Sequence, residues 1–185
     1  MKNQLRIIGG DWKRRQLAFA SIDGLRPTPD RVRETLFNWL MWDVQNAKVL
    51  DICAGSGALS FEALSRGATS VVMIEPDRTQ AQFLNQNLEL LQVTKARAQL
   101  KIATAQQALT SLKQQFDLVF LDPPYSLDLW ETLATQTDPL IKEDGFIYVE
   151  ADRELSTLEL PSSWHLIKNT KAGTVRAGLY QKKAA

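Results

Sequence analysis

The chain has a single cysteine, Cys53, and a single histidine, His165, among its 185 residues. One thiol excludes an internal disulfide, and the pair leaves no cluster at zinc-ligand spacing, so no structural metal is expected. No stretch approaches the ~20 apolar residues of a membrane-spanning helix. The start, Met1-Lys2-Asn3-Gln4-Leu5-Arg6, lacks the apolar run of a secretory signal. A cytoplasmic location is therefore the expectation. There is no repeat, no low-complexity tract and no linker long enough to separate domains. No obvious apolar surface stripe is present either, which points to a monomer.

What is present is an ordinary globular composition, 44% hydrophobic and 23% charged, long enough for one substantial core. The net charge of +1 conceals a segregation. Residues 1 to 33 carry eight Lys/Arg against Asp11, Asp23 and Asp30, a net +5, and residues 165 to 185 carry five and no acid, another +5. The middle, 34 to 164, has nine basic and eighteen acidic residues, a net −9. Basic ends around an acidic body suit contact with a polyanion, although solvated surface charge gives the same count.

Apolar runs at Lys48 to Ile52, Ser70 to Ile74, Gln99 to Ile102, Leu118 to Leu121 and Phe146 to Val149 read as strands. Helical patterns fall between them at Ala58 to Arg66, Asp77 to Leu91, Gln106 to Gln114 and Leu127 to Thr135. Two further strands, His165 to Lys168 and Arg176 to Gln181, have no helix between them and are expected as an antiparallel hairpin at one sheet edge. The expected fold is α/β, a doubly wound, mostly parallel seven-stranded sheet with one reversed strand. Ahead of it, Leu5 to Ile8 and Arg15 to Phe19 read as a small hairpin. Thr28-Pro29 then opens a helix, Thr as cap and Pro in the first turn, with Val32, Leu36, Trp39 and Leu40 on one apolar stripe. The expected division is an extension over residues 1–40 and a globular unit over 41–185.

Two loops carry chemistry. In the first, Val49-Leu50-Asp51-Ile52-Cys53-Ala54-Gly55-Ser56-Gly57-Ala58, a strand enters a small-residue turn and then a helix. Gly55 and Gly57 permit tight geometry and close ligand approach. A nicotinamide or flavin fingerprint requires a third glycine where Ser60 stands, and Asp51 would repel a diphosphate. A cofactor bearing an ammonium and a sulfonium fits instead, namely S-adenosylmethionine. Glu75, at the next strand tip before Pro76, can accept two ribose hydroxyls, or else act as a solvated strand-end acid or helix cap. Thr104 and Ala105, after the third strand, stand where an adenine edge would be met. Cys53 has no basic neighbour in sequence and reads as a small loop filler.

In the second loop an apolar strand stops at Asp122-Pro123-Pro124-Tyr125. The prolines remove donor N–H groups, leaving the carbonyls of Asp122 and Pro123 free as acceptors for an exocyclic amine. Tyr125 supplies a face for a base, a contact worth roughly 1–3 kcal/mol. A strand end followed by a turn and a packed tyrosine is the plainer alternative. Among basic residues, Lys13, Arg14, Arg15, Arg26, Arg31 and Arg33 are candidates for RNA phosphates, with an ion pair to the body open for Arg31. Trp12 either stacks on RNA or packs under the hairpin.

With these features assembled, the chain resembles class I methyltransferases that modify an exocyclic amine. More narrowly it resembles the RsmD family of bacterial 16S rRNA guanine-N2 methyltransferases. The resemblance rests on Arg6-Ile7-Ile8-Gly9-Gly10-Asp11-Trp12-Lys13-Arg14-Arg15, on the stretch from Gly24-Leu25-Arg26-Pro27-Thr28-Pro29-Asp30-Arg31-Val32-Arg33 through Leu40, and on Ala54-Gly55-Ser56-Gly57-Ala58-Leu59 with Phe61 to Ala68. It continues through Asp122-Pro123-Pro124-Tyr125, Ile147-Tyr148-Val149-Glu150 and Ala172-Gly173-Thr174-Val175. It implies S-adenosylmethionine as donor, the N2 of a 16S rRNA guanine at position 966 as acceptor, and Asp122 to Tyr125 as the reaction site. Cys53 departs from the family's usual aromatic residue and Thr104 from a more polar one.

Asp-Pro-Pro-Tyr also occurs in DNA methyltransferases acting on adenine N6 or cytosine N4, although 185 residues leave little room for a separate DNA-reading domain. A nucleotide-dependent oxidoreductase and a non-catalytic RNA-binding module are further rivals.

Overall fold

The computed structural model describes residues 3–22 and 24–184. Lys2 and Asp23, counted in the charge of the extension, lie outside the described residues. Nine strands and five α-helices alternate along them. The order is β1 (Asn3–Arg6), β2 (Gln16–Phe19), α1 (Asp30–Trp39), β3 (Lys48–Asp51), α2 (Ala58–Ser65), β4 (Ser70–Ile74) and α3 (Arg78–Leu90). Then follow β5 (Ala98–Lys101), α4 (Ala105–Ser111), β6 (Phe116–Leu121), α5 (Trp130–Thr137), β7 (Ile141–Ala151), β8 (Trp164–Ala172) and β9 (Val175–Lys182). β1 and β2 pair with each other, and the other seven form one sheet in the order β5-β4-β3-β6-β7-β9-β8. β9 pairs antiparallel with both β7 and β8 and is the one reversed strand, as expected.

Side chains along the strands alternate between two cores, the period-2 consequence of a pleated backbone. Val49, Val71, Met73, Leu118, Phe120 and Tyr148 enter one core together with Phe61 of α2 and Leu84 of α3. Leu50, Val72, Ile74, Val119, Leu121 and Ile147 enter the other with Leu109 of α4 and Trp130 and Leu133 of α5. The N-terminal elements share the first core through Leu5, Leu17, Val32, Leu36, Phe37 and Leu40. β2 is further tied to α3, where Gln80 accepts from the Ala20 N–H at 2.8 Å and Asn87 donates to the Ala18 carbonyl at 2.9 Å. The hairpin connection docks on the end of α2, with the Asp11 N–H donating to the Ser65 carbonyl at 2.8 Å.

Three local expectations need correction. α1 begins at Asp30 with Pro29 as its cap residue, and the Thr28 hydroxyl caps nothing. The hydroxyl donates to Asp122 instead. The apolar stripe of α1 uses Phe37, while Trp39 is only partly buried against the core. Arg33 is fully buried rather than displayed for phosphates: it bonds Asp30 at 2.7 Å and Glu62 at 3.4 Å. Glu62 draws it inward because this buried carboxylate also collects the Ile8 and Gly9 amides and Arg66. Among the described residues no helix is long and apolar enough to cross a membrane.

Candidate active site

A parallel sheet whose strand order reverses leaves a crevice at the carboxyl ends of the strands on either side of the reversal. Here the reversal lies between β3 and β6, so the loops after Asp51 and Leu121 face each other. Four strands of this edge end in or run into an acid: Asp51 on β3, Glu75 after β4, Asp122 after β6 and Glu150 near the end of β7.

Asp51 is 1% exposed and accepts from the Ser60 hydroxyl at 2.6 Å. The residue standing at the missing third glycine therefore holds the acid in place. Burial, abetted by the charge of Glu75 and opposed by the Ser60 bond, pushes the Asp51 carboxyl up to about 7. Glu75 accepts from the Gly55 N–H at 3.0 Å and the Asp77 N–H at 2.9 Å, bracing the loop and the start of α3. Each oxygen keeps a further lone pair for a hydroxyl. Burial raises this carboxyl too. Pro76 beside it is exposed.

Gly57 has φ +82°, and a Cβ there would lie 2.5 Å from the Phe61 ring and 2.8 Å from Leu84. Its constraint is thus imposed by the first core as well as by any ligand. Gly55, at φ +55°, lies under Leu25, which a Cβ would meet at 3.0 Å. Gly57→Ala should cost about 2–4 kcal/mol, combining a left-handed non-glycine residue with overpacking. A urea unfolding midpoint measures it, and an unchanged midpoint would contradict the packing described.

Ala54 and Ala58 turn their methyls into the core. The Ala54 N–H and carbonyl are both used internally, by Ile74 and Gly57. Thr104 caps α4, its hydroxyl accepting from Gln107 at 3.2 Å in a reciprocal capping box. The Ala105 side chain, in the first turn of α4, is buried in the second core. Burial pushes the Cys53 thiol far up, which suits a filler and not a nucleophile.

Asp122 is half-buried and accepts from the Thr28 hydroxyl at 3.3 Å. Burial first, and the facing Glu150 second, raise its carboxyl well above the ordinary range. Pro123 is buried and Pro124 exposed, and no backbone N–H among the described residues donates to the Pro123 carbonyl. The Tyr125 ring stacks on Trp130 at a centroid separation of 6.1 Å and 27°. Its hydroxyl donates to Glu150 at 2.8 Å.

Lys13, Arg14, Arg15, Arg26 and Arg31 are exposed, the first three on the hairpin connection docked at the far end of α2. Among the described residues Arg31 pairs with no acid of the body; it donates to the Lys171 carbonyl at 3.2 Å and joins α1 to the β8–β9 hairpin. Trp12 packs partly buried against the first core. Sequence reasoning gives Glu150, Thr28 and Leu25 no role at the site. A signal for Glu150 exists: it closes an apolar strand as Asp51, Glu75 and Asp122 do. Thr28 carries no such signal, because a capping position is chemically sufficient to explain it.

Residues 5–181 match the family model described as Conserved hypothetical protein 95. Ribosomal RNA small subunit methyltransferase D of Haemophilus influenzae is 42% identical over 187 residues, covering 97% of this chain and 95% of that one. The protein of that name from Escherichia coli is also 42% identical, covering 98% and 91%. The solved structure of yhhF from Escherichia coli superposes with a TM-score of 0.90 at 38% identity, covering 99% of this chain and all of that one. With near full-length agreement in both sequence and fold, the chain belongs to the RsmD family of small-subunit ribosomal RNA methyltransferases.

Proposed function

We propose that the protein transfers a methyl group from S-adenosylmethionine to the exocyclic N2 of a guanine in 16S rRNA, position 966. The observation that carries the reading is the opposition of two acid-tipped loops across the crevice, a buried Asp51 beside Gly55 and Gly57 and an Asp122 framed by two prolines. The names of the relatives support ribosomal RNA of the small subunit as the acceptor. Against a dinucleotide, residues 51–58 include no Lys or Arg, and a diphosphate there would face Asp51 and Glu75. The same groups fit a cationic methyl donor with ribose hydroxyls.

Bound in this crevice, S-adenosylmethionine supplies an electrophilic methyl group on a sulfonium. Asp51 contributes negative charge at the strand tip, and Glu75 offers its remaining lone pairs to hydroxyls. The guanine amine is a poor nucleophile because its lone pair is delocalised into the ring. Asp122 and the Pro123 carbonyl accept its two hydrogens and aim the lone pair, so orientation is their main contribution. Tyr125 offers its ring to the base, and Asp122 takes the released proton. A guanine must leave its stack to reach this depth, which suits a loop or bulge. The extension over residues 1–40 contributes Lys13, Arg14, Arg15, Arg26 and Arg31 to RNA phosphates, and Lys171 on β8 lies beside Arg31. The defining experiment incubates labelled donor with small subunits from cells lacking the enzyme and maps the modified nucleotide. Label on a base other than guanine, or none, overturns the proposal.

Asp51 sets a pH dependence. A cationic donor pairs with the carboxylate, so affinity for S-adenosylmethionine should rise as pH climbs from 5 through about 7. Below that point it should fall by roughly tenfold per unit, as linkage to one proton requires. Titration calorimetry at several pH values reads the slope, and Asp51→Asn should flatten it. For folding of the ligand-free protein the sign is opposite. A folded carboxyl held near 7 adds stability that is full below the ordinary range near 4 and lost as pH rises through 7.

A further inference from the structure

Glu150 is 4% exposed and accepts two phenol protons, from Tyr148 at 2.6 Å on one oxygen and from Tyr125 at 2.8 Å on the other. Its own backbone carbonyl accepts from the Trp130 indole at 2.9 Å, and Trp130 is the ring on which Tyr125 stacks. Arg153 covers that indole in turn, its guanidinium carbon 4.4 Å from the ring centre. One residue near the end of β7 thus fixes the Tyr125 ring twice, once through its hydroxyl and once through the platform beneath it.

Resting on the reading that Asp122 receives an exocyclic amine, we propose that Glu150 is the positioning residue of the transfer site. It holds Tyr125 in register for the base, and it stands beside Asp122, each being the next residue after the paired Leu121 of β6 and Val149 of β7. The groups around the pair are Asp122 from the end of β6, Asp51 from β3, Tyr148 from β7, Tyr125 from the following turn, and the Thr28 hydroxyl from the segment before α1. Asp152 contributes further negative charge at Tyr125. Among the described residues Glu150 makes no ion pair, so no cation relieves the repulsion between the two acids. A neighbouring carboxylate disfavours ionisation of Asp122. Burial of Asp122 acts in the same direction.

The consequence is a gate on the reaction. While a proton sits on Asp122, that carboxyl has lost one acceptor for the amine. Once it is ionised, Asp122 accepts an N2 hydrogen. The N2 lone pair then forms the bond to the methyl carbon as the carbon–sulfur pair departs with sulfur. N2 carries the positive charge until one N–H proton passes to Asp122, its bonding pair remaining on nitrogen. The transfer thus ends with a neutral methylated amine and a protonated Asp122 facing Glu150.

The test compares pH profiles of kcat on small subunits lacking the modification, for wild type, Glu150→Gln and Tyr125→Phe. In Glu150→Gln the neighbouring charge is gone, so the acid limb should move down by about one pH unit or more, as expected when a like charge beside a carboxyl is removed. Its plateau should fall by roughly tenfold or more with the loss of a fixed Tyr125, while KM for the subunit changes less than about twofold. Tyr125→Phe keeps the charge and loses the tether, so kcat should fall while the limb stays. Carbon-13 NMR titration of the Asp122 carboxyl in the free enzyme should give a raised midpoint that drops in Glu150→Gln. It also decides the matter in wild type if that variant does not fold: an Asp122 midpoint in the ordinary carboxylate range overturns the proposal. An unmoved limb in a folded Glu150→Gln overturns it equally. Full activity of Asp122→Ala would overturn the underlying reading, and an inactive Asp122→Ala with an unmoved Glu150→Gln limb would overturn the Glu150 role alone.

Discussion

Asp122→Ala should lower kcat for methyl transfer by roughly 10²–10⁴-fold, the range for loss of a positioned proton acceptor. The reason is geometric. The prolines that follow remove the backbone donors, so the acceptors at this strand end are the Asp122 carboxyl and a carbonyl that no backbone N–H occupies. Removal of the carboxyl leaves the Pro123 carbonyl to hold one amine hydrogen and leaves nothing to take the proton. Asp122→Asn separates the two losses. Its amide oxygen still accepts a hydrogen bond but takes no proton at neutral pH, so its kcat should lie between wild type and alanine. Binding of S-adenosylmethionine should survive both substitutions, because Asp51 and Glu75 belong to other strands. Folding should survive as well, since removing a half-buried acid whose proton affinity is raised relieves a desolvation cost. Single-turnover rates with subunits in excess measure the effect, and an Asp122→Ala enzyme within a few-fold of wild type would refute the assigned role.

Arg33→Ala should reduce unfolding free energy by about 3–5 kcal/mol, the cost of breaking one partner from a buried pair. The guanidinium and the Glu62 carboxylate are both fully buried, and Asp30 accepts a second bond at 2.7 Å. Truncation would leave Glu62 with Arg66 and the Ile8 and Gly9 amides, which hold some of the charge, so the lower end is expected. The packing of the Arg33 stem would be lost too. A chain this size shifts by roughly 2–4 °C in Tm per kcal/mol, so a drop of about 6–12 °C should appear at the lower end. Arg31→Ala is the control. Exposed, and bonded only to a carbonyl, it should alter stability by less than about 0.5 kcal/mol. It should instead reduce the salt dependence of RNA binding by about one phosphate contact, an effect Arg33→Ala would lack. Equal Tm values for the two variants would contradict the buried pair.

Much of the fold is legible in the sequence because its signals are local. The expected and observed bounds of β4 coincide, since residues 71–74 are an uninterrupted apolar run between Ser70 and Glu75-Pro76. β7 is longer than its apolar run suggests: it extends through Lys142, Glu143 and Asp144, polar residues that no strand propensity favours and that lie in an irregularity of the pairing with β6, between Phe116 opposite Ile141 and Leu118 opposite Phe146. Asp122-Pro123-Pro124-Tyr125 is legible as the proposed site because prolines abolish donors wherever they stand.

Arg31 and Arg33 are not separable in sequence. They are two residues apart on one helix, so they point to different sides, but only the packed position of Glu62 decides which side is interior. Thr28 and Glu150 show the same limit. A hydroxyl ahead of a helix and an acid at a strand end each have a sufficient local explanation. Their real partners, Asp122 and Tyr125, lie 94 and 25 residues away.

The amino-acid order alone determined which strands form, which glycines bend the cofactor loop and which residues can present acceptors, because those follow from backbone sterics and side-chain period. Tertiary structure alone decided which charges are buried, which acids face one another and what their proton affinities become. Desolvation and Coulomb interactions depend on distance and surroundings in space, and neither is set by separation along the chain.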